Sequence, residues 1–204
     1  MKDMEKPISD IAFTPSVKAI QERKGSRDAY RRMEENGGWK KEITDELAAF
    51  IADQRSFFFA TASREGTPYI QHRGGPRGFL KVVGTSTLAF IDFKGNRQFI
   101  TQGNLAENPK AHMFLVDYAA RQRIKLWGVA RVVEDDPQLI ERFTAQDYKA
   151  RAEQVIVFEI SAWDVNCPQH IPVRYDAEDV ERALAERDAR IAELEAKISK
   201  IGIY

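Results

Sequence analysis

The spacing of apolar positions divides the chain into a helical part before about residue 53, an alternating part from about residue 56, and a heptad part from Ala177 onward. In the first part, residues 1 to 12 read as a polar lead-in. Thr14, Pro15 and Ser16 precede Val17, Ala19 and Ile20, which predicts a short helix capped by Thr14 and ended by Gly25. Residues 27 to 35 predict a second helix, stopped by Asn36, Gly37 and Gly38. A third starts at Thr44: Asp45 and Glu46 suit the positive end of its dipole, and Leu47, Phe50 and Ile51 have the i, i+3, i+4 spacing of one apolar face. This third of the chain reads as helical packing against a barrel built from the alternating part.

Alternation begins at about Ser56. The run SFFFATAS, with three consecutive Phe, predicts a strand buried on both faces. Arg64, Glu65, Gly66 and Thr67 form a turn, and Pro68 opens the next strand. There Tyr69, Gln71 and Arg73 share one face, with Ile70 and His72 on the other. Gly74, Gly75 and Pro76 allow a bend or a close approach to a ligand. Phe79 to Val83, carrying Lys81, and Leu88 to Phe93, carrying Asp92, predict further strands.

Lys94, Gly95 and Asn96 read as a tight turn that leaves Arg97 and Gln98 at the mouth of the sheet. Backbone N–H groups and a guanidinium placed there can hold a phosphate, or the segment is a solvated hairpin tip; spacing leaves both open. Asn104 followed by Glu107 reads as a capping box. Met113 to Tyr118 predicts a strand. Residues 123 to 132 alternate most cleanly: Ile124, Leu126, Gly128, Ala130 and Val132 on one face, Arg123, Lys125, Trp127, Val129 and Arg131 on the other. An indole beside two cations favours a covered surface, against ligand or subunit. Pro137 to Phe143 predicts a short helix and Val155 to Val165 a last long strand. The segment CPQHIPVRYD has no period and reads as a constrained loop, the kind of segment that carries function on a rigid scaffold.

In the last part, Val180, Leu184, Arg187, Ile191, Leu194, Ile198 and Ile201 are spaced alternately by four and three, a heptad seam flawed at Arg187. Glu178 with Arg182, Glu186 with Arg190 and Glu193 with Lys197 are i, i+4 pairs in the favourable orientation. This predicts an assembly helix that pairs with a second copy or packs on the sheet.

Composition narrows the function. Lys plus Arg and Asp plus Glu number 31 each, so nothing global attracts a nucleic acid and any basic site is local. Cys167 is the single cysteine, which excludes an internal disulfide framework and a multi-thiolate metal site. No apolar run approaches the ~20 residues of a membrane span, and no signal-peptide core opens the chain, so a soluble, cytoplasmic protein is expected. Phosphate-loop, dinucleotide, zincin and nucleophile-elbow motifs are absent, and His72, His112 and His170 lack metal-ligand spacing. What remains is a set of Arg, Lys, Asn and Gln residues on strands, suited to binding a flat phosphorylated molecule.

The pieces FFFATASREGTPYIQHRGG, TLAFIDFKGNRQFITQGNLAENP, RIKLWGVARVV and NCPQHIPVR together resemble the FMN-binding split-barrel family related to pyridoxamine 5'-phosphate oxidase, most closely its flavin-nucleotide-binding branch, over roughly residues 44 to 175. The resemblance implies a mainly β, α+β fold: a six-stranded split β-barrel flanked by an N-terminal helical extension (1–43) and a long C-terminal helix (176–204). It implies a homodimer with two FMN sites in its interface. Arg73 then meets the flavin with Gln71 and His72 beside it, and Asp92 and Phe93 line the isoalloxazine edge. Asn96, Arg97 and Gln98 stand at the phosphate clasp, Gln98 where the oxidases have Lys. Arg123, next to Gln122, and Lys125 match the family's polar pair and basic residue. The oxidases' Tyr-Arg-Ser helix and Arg-x-His motif are missing, with Phe143 and Asp147 near the place of the first and CPQHIPVR at the second, so the resemblance does not extend to the vitamin substrate. Gln169, His170 and Arg174 would cover the substrate side of the flavin from the other subunit. The expected function is an FMN-dependent oxidoreductase acting on a small molecule. The alternatives are a non-catalytic flavin-binding or flavin-sequestering protein, or a split barrel that holds a deazaflavin or haem.

Overall fold

A computed structural model describes residues 6–144, 148–166 and 168–201; Asp147 and Cys167 lie outside them, as do the side chains of Asn166 and Ile201. The described chain falls into two compact units. The first holds residues up to 116 together with 123–167, and the second residues 117–122 together with 168 onward.

The first unit opens with a 3-10 turn, Ile8–Ile11, inside the expected lead-in. It is tied down because buried Ser9 donates to Glu34 at 3.0 Å, and Glu34 is ion-paired with Arg27. Helices α1 (Pro15–Lys24), α2 (Arg27–Glu35) and α3 (Asp45–Asp53) follow. Thr14 and Thr44 accept from Val17 N and Leu47 N as N-caps, and Gly25 ends α1 at φ 77°.

Seven strands form one antiparallel sheet: β1 (Ser56–Ala62), β2 (Pro68–Gly74), β3 (Lys81–Val82), β4 (Thr87–Phe93), β5 (Lys110–Asp117), β6 (Gln122–Val133) and β7 (Ala152–Asn166), ordered β2-β1-β5-β6-β7-β4-β3. The strand expected over Phe79 to Val83 is the two-residue β3, which makes seven where the resemblance implied six; Phe79 and Leu80 turn into the core instead. Gly75 permits this, because a Cβ there would lie 2.6 Å from the Phe79 ring. Between β4 and β5 lies helix α4 (Ile100–Glu107), and between β6 and β7 lies α5 (Pro137–Phe143).

The sheet curls until its two halves face each other. β1 and β4 are four places apart in the strand order, yet Phe57 of β1 and Phe90 of β4 meet edge to face with ring centroids 5.0 Å apart. Phe59 packs on both Phe90 and Phe158, at 5.6 and 6.3 Å, so aromatic side chains from β1, β4 and β7 fill the barrel. Gly128 of β6 stands opposite a bulge in β7, where Ser161 is the extra residue, and a Cβ on Gly128 would come 2.1 Å from the Glu159 carbonyl oxygen.

Two readings of the sequence are corrected. β1 is not buried on both faces: Phe57, Phe59 and Thr61 are buried, whereas Ser56, Phe58 and Ala60 are half-buried on the outer face. Asn104 is not a cap but lies within α4, which starts four residues earlier; its side-chain amide donates across to Thr61 Oγ1 at 3.0 Å. Phe99, in the left-handed region at φ 54°, turns the chain into that helix with no side-chain cap.

In the second unit, residues 117–122 form the tip of the β5–β6 hairpin and residues 168–176 the loop before α6 (Ala177–Ile201). Arg121 donates to the Pro168 carbonyl at 3.4 Å, and the Arg174 guanidinium lies 4.8 Å from the Tyr118 ring centroid. None of the described helices is long and apolar enough to cross a membrane.

Candidate functional site

Alternation along β2 directs Gln71 and Arg73 to the inner face, opposite Phe59 and Phe57 of β1, and sends His72 to the outer face opposite Phe58. Curling brings the open end of β2 against β4 and β7. There Arg73 Nη1 is ion-paired with Asp92, its Nη2 donates to Thr101 Oγ1 at 3.3 Å, and Thr101 Oγ1 donates to Gln71 Oε1 at 3.2 Å. Asp92 accepts a second bond, 2.9 Å, from the Gln154 side-chain amide beside it on β7. The ion pair at its centre is largely closed off from water: the Arg73 and Asp92 side chains are 11% and 15% exposed. One donor, Arg73 Nε, is buried without a hydrogen-bond partner among the described residues.

This network floors a cleft of about 60 Å³ lined also by Tyr69, Phe93, Asn96, Arg97, Gln98 and Phe99, by the first turn of α4, and by Glu153. The loop over it is tightly wound: Arg97 has φ 59°, and Asn96 Oδ1 accepts from Gln98 N at 3.3 Å. Arg97 is half open to solvent, 5.3 Å from the Phe99 ring centroid, and its Nε lies 3.5 Å from Glu153. The formal charges of Arg73, Arg97, Asp92 and Glu153 cancel. The cleft's pull on an anion is therefore local, through the outer edge of the Arg97 guanidinium and the uncapped N–H groups of α4.

Of the predicted residues, Gln71, Arg73, Asp92, Phe93, Asn96, Arg97 and Gln98 line this cleft, and His72, Arg123 and Lys125 do not. Thr101, Glu153 and Gln154 complete it. Gln154, a buried amide before a Val-Ile-Val run, carried a faint signal in the sequence. Thr101 carried none, because no local pattern starts α4 ahead of it. Gln169, His170 and Arg174 belong to the second unit, where His170 has φ 63°.

Lys125 serves a second cluster, on the outer face of the sheet. Its Nζ lies 2.9 Å from Asp164 and 5.2 and 5.6 Å from the Trp127 and Trp39 ring centroids, and the two indoles stack at 4.7 Å. His112 meets Trp127 edge-on at 4.9 Å. Burial, and then the neighbouring Lys125 charge, push the His112 imidazole down to about 4. Since that is below its unfolded value of about 6.5, its contribution to stability is fully present above pH ~6.5 and is lost as pH falls toward 4. Wild type should therefore lose more unfolding free energy between pH 7 and 5 than His112→Gln, by urea titration; parallel losses would dismiss the imidazole as the cause. Among the described residues no group of three or more His, Cys, Asp or Glu is placed to hold a metal.

The chain is similar in fold to several solved structures. Its fold is similar to that of HupZ from Group A Streptococcus at 18% identity and a TM-score of 0.50, covering 65% of this chain and 99% of that one. It is also similar to an FMN-binding protein from Syntrophomonas wolfei (14% identity, TM-score 0.46, 72% and 97% covered). HutZ, the heme storage protein from Vibrio cholerae, is similar too (16% identity, TM-score 0.39, 58% and 90% covered). No curated protein matches it in sequence. The family profile described as pyridoxamine 5'-phosphate oxidase matches residues 43–167, from the lead into α3 to the end of β7, and the seven-stranded curled sheet with its flanking helices is the split barrel of that family: the chain belongs to the pyridoxamine 5'-phosphate oxidase family.

Proposed function

We propose that the cleft holds FMN and that the protein is an FMN-dependent oxidoreductase acting on a small molecule at a homodimer interface. The observation that carries this reading is the pairing of a half-exposed guanidinium, Arg97, with the uncapped first turn of α4 at one end of a cleft floored by a fixed amide and guanidinium network. A phosphate suits the first, and the polar edge of a flavin ring suits the second. Gln71, Arg73 and Gln154 would orient the ring, and Arg97 with Asn96 and Gln98 would hold the phosphate. Bound flavin supplies the electron-transfer chemistry. The chain's part is orientation and electrostatics, since both acidic residues on the cleft wall, Asp92 and Glu153, lie against arginines.

Size and surface support the dimer. At about 60 Å³ the cleft falls well short of the ~300 Å³ at which pockets begin to enclose a ligand, so a flavin would lie across its mouth and need a second wall. The outer sheet face carries half-buried Phe58 and Phe114 and exposed Ile70 and Val129, a surface suited to another copy.

Titration of the apoprotein with FMN, followed by flavin fluorescence, tests the reading. Arg97→Ala should weaken binding by about 1.5–3 kcal/mol, the worth of charge-assisted hydrogen bonds. Glu153→Gln should tighten it by about 0.2–1 kcal/mol, because a competing partial ion pair is removed. Retention of FMN by Arg97→Ala at wild-type affinity would take the loop out of the site. A Soret band in place of the flavin absorption near ~450 nm would replace the cofactor. With FMN bound, aerobic consumption of NAD(P)H separates an oxidoreductase from a flavin-sequestering protein.

A further inference from the structure

Helix α6 presents a long apolar stripe. Val180, Leu184, Ile191, Leu194 and Ile198 are 41–48% exposed along one side of the helix. In heptad terms Leu184, Ile191 and Ile198 occupy a, and Val180, Arg187 and Leu194 occupy d. The stripe alone leaves orientation open, since an antiparallel pairing would also face a with d, Leu184 on Leu194 and Ile198 on Val180.

The flanking charges decide. Every e position inside the helix is acidic, Glu181, Asp188 and Glu195, and the g positions are Ala183, Arg190 and Lys197. An antiparallel pair of identical helices sets e against e and g against g: Glu181 on Glu195, Asp188 on Asp188, Arg190 on Arg190. A parallel in-register pair sets each g against the e five residues on, which joins Arg190 to Glu195 on both sides. Glu193, at c, already bonds both Arg190 and Lys197 and so aligns the two cations along that edge. The flaw in the seam fits the same arrangement. In a parallel pair the two Arg187 face each other across their d layer, and because a d side chain also packs beside the e residue of the other helix, each lies beside Asp188 of the second copy; this neutral four-residue polar layer pins the register.

We propose that α6 is the interaction surface for a second copy of this chain, forming a parallel, in-register two-stranded coil with its register set by the Arg187 and Asp188 layer. Parallel pairing starts both helices at one end, so the two 168–176 loops, with Gln169, His170 and Arg174, emerge side by side. An antiparallel pair would hold them roughly 37 Å apart, at ~1.5 Å per residue over 25 residues. The proposal does not rest on flavin binding.

Thiol cross-linking of the full chain tests it. In a Cys167→Ser background, Leu184→Cys and Leu194→Cys are made separately and treated with a short bismaleimide. The parallel coil predicts a covalent dimer from each variant alone. An antiparallel coil separates like thiols by about 15 Å and cross-links only the mixture of the two; a helix packed on its own chain cross-links neither, and either outcome overturns the proposal. Adding Arg190→Glu should slow cross-linking at least threefold, and adding Glu195→Arg to it should restore the rate. Indifference to both would overturn the charge-selected orientation while leaving the flavin titration untouched.

Discussion

Arg73→Ala is expected to lower the unfolding free energy by about 3 kcal/mol, because it leaves the Asp92 carboxylate largely buried with its cation gone. Asp92 would keep one bond, from Gln154 at 2.9 Å, which places the loss at the low end for a broken buried pair. Arg73 also links β2 to α4 through Thr101, so the wall of the cleft loosens with it. The double variant Arg73→Ala, Asp92→Ala should be less damaged than the sum of the two single variants, since removal of both charges leaves no orphan. Strict additivity in urea unfolding would show that the two groups do not act as a pair.

Phe59→Ala should cost about 3–5 kcal/mol, the range for a large aromatic side chain removed from a packed interior. Phe59 is 0% exposed and touches Phe57, Phe90 and Phe158, contributed by three strands, so the void cannot be closed by movement of one element. Its neighbour Phe58 faces the other way. There it has the His72 ring at 5.7 Å, and Phe58→Ala should cost only about 0.5–1.5 kcal/mol in the isolated chain, the worth of an aromatic pair. Its larger effect should be on association, read by sedimentation. Equal losses from the two substitutions would refute the assigned facing of β1.

Periodicity carried much of this into view. The alternation that separates Gln71 and Arg73 from His72 is local, as is the heptad spacing of α6, and both survive unchanged in the folded chain. Thr14, Gly25 and Thr44 acted as their chemistry dictates. Asn104 shows where local rules stop. Asn and Glu three apart satisfy a capping pattern, but a left-handed Phe99 starts the helix earlier and Asn104 finds its partner on β1. The Phe run shows the same limit: hydrophobicity marked all three rings for burial, and only the curl of the sheet chose two for the interior.

By itself the amino-acid sequence determined the order of the strands, the alternation of side chains along each of them, a turn at Lys94 to Asn96 that suited an anion or plain solvent alike, and the helical stripe at the end of the chain. These depend on the 2.0 and 3.6 residue periods and on turn chemistry, which act over a few residues. Only the tertiary structure joined Arg73 to Asp92, Thr101 and Gln154, and assigned Lys125 to the tryptophan stack and not to the cleft. Those partners are far apart in the chain and come together only when the sheet curls, driven by burial of its aromatic interior, which no local pattern encodes.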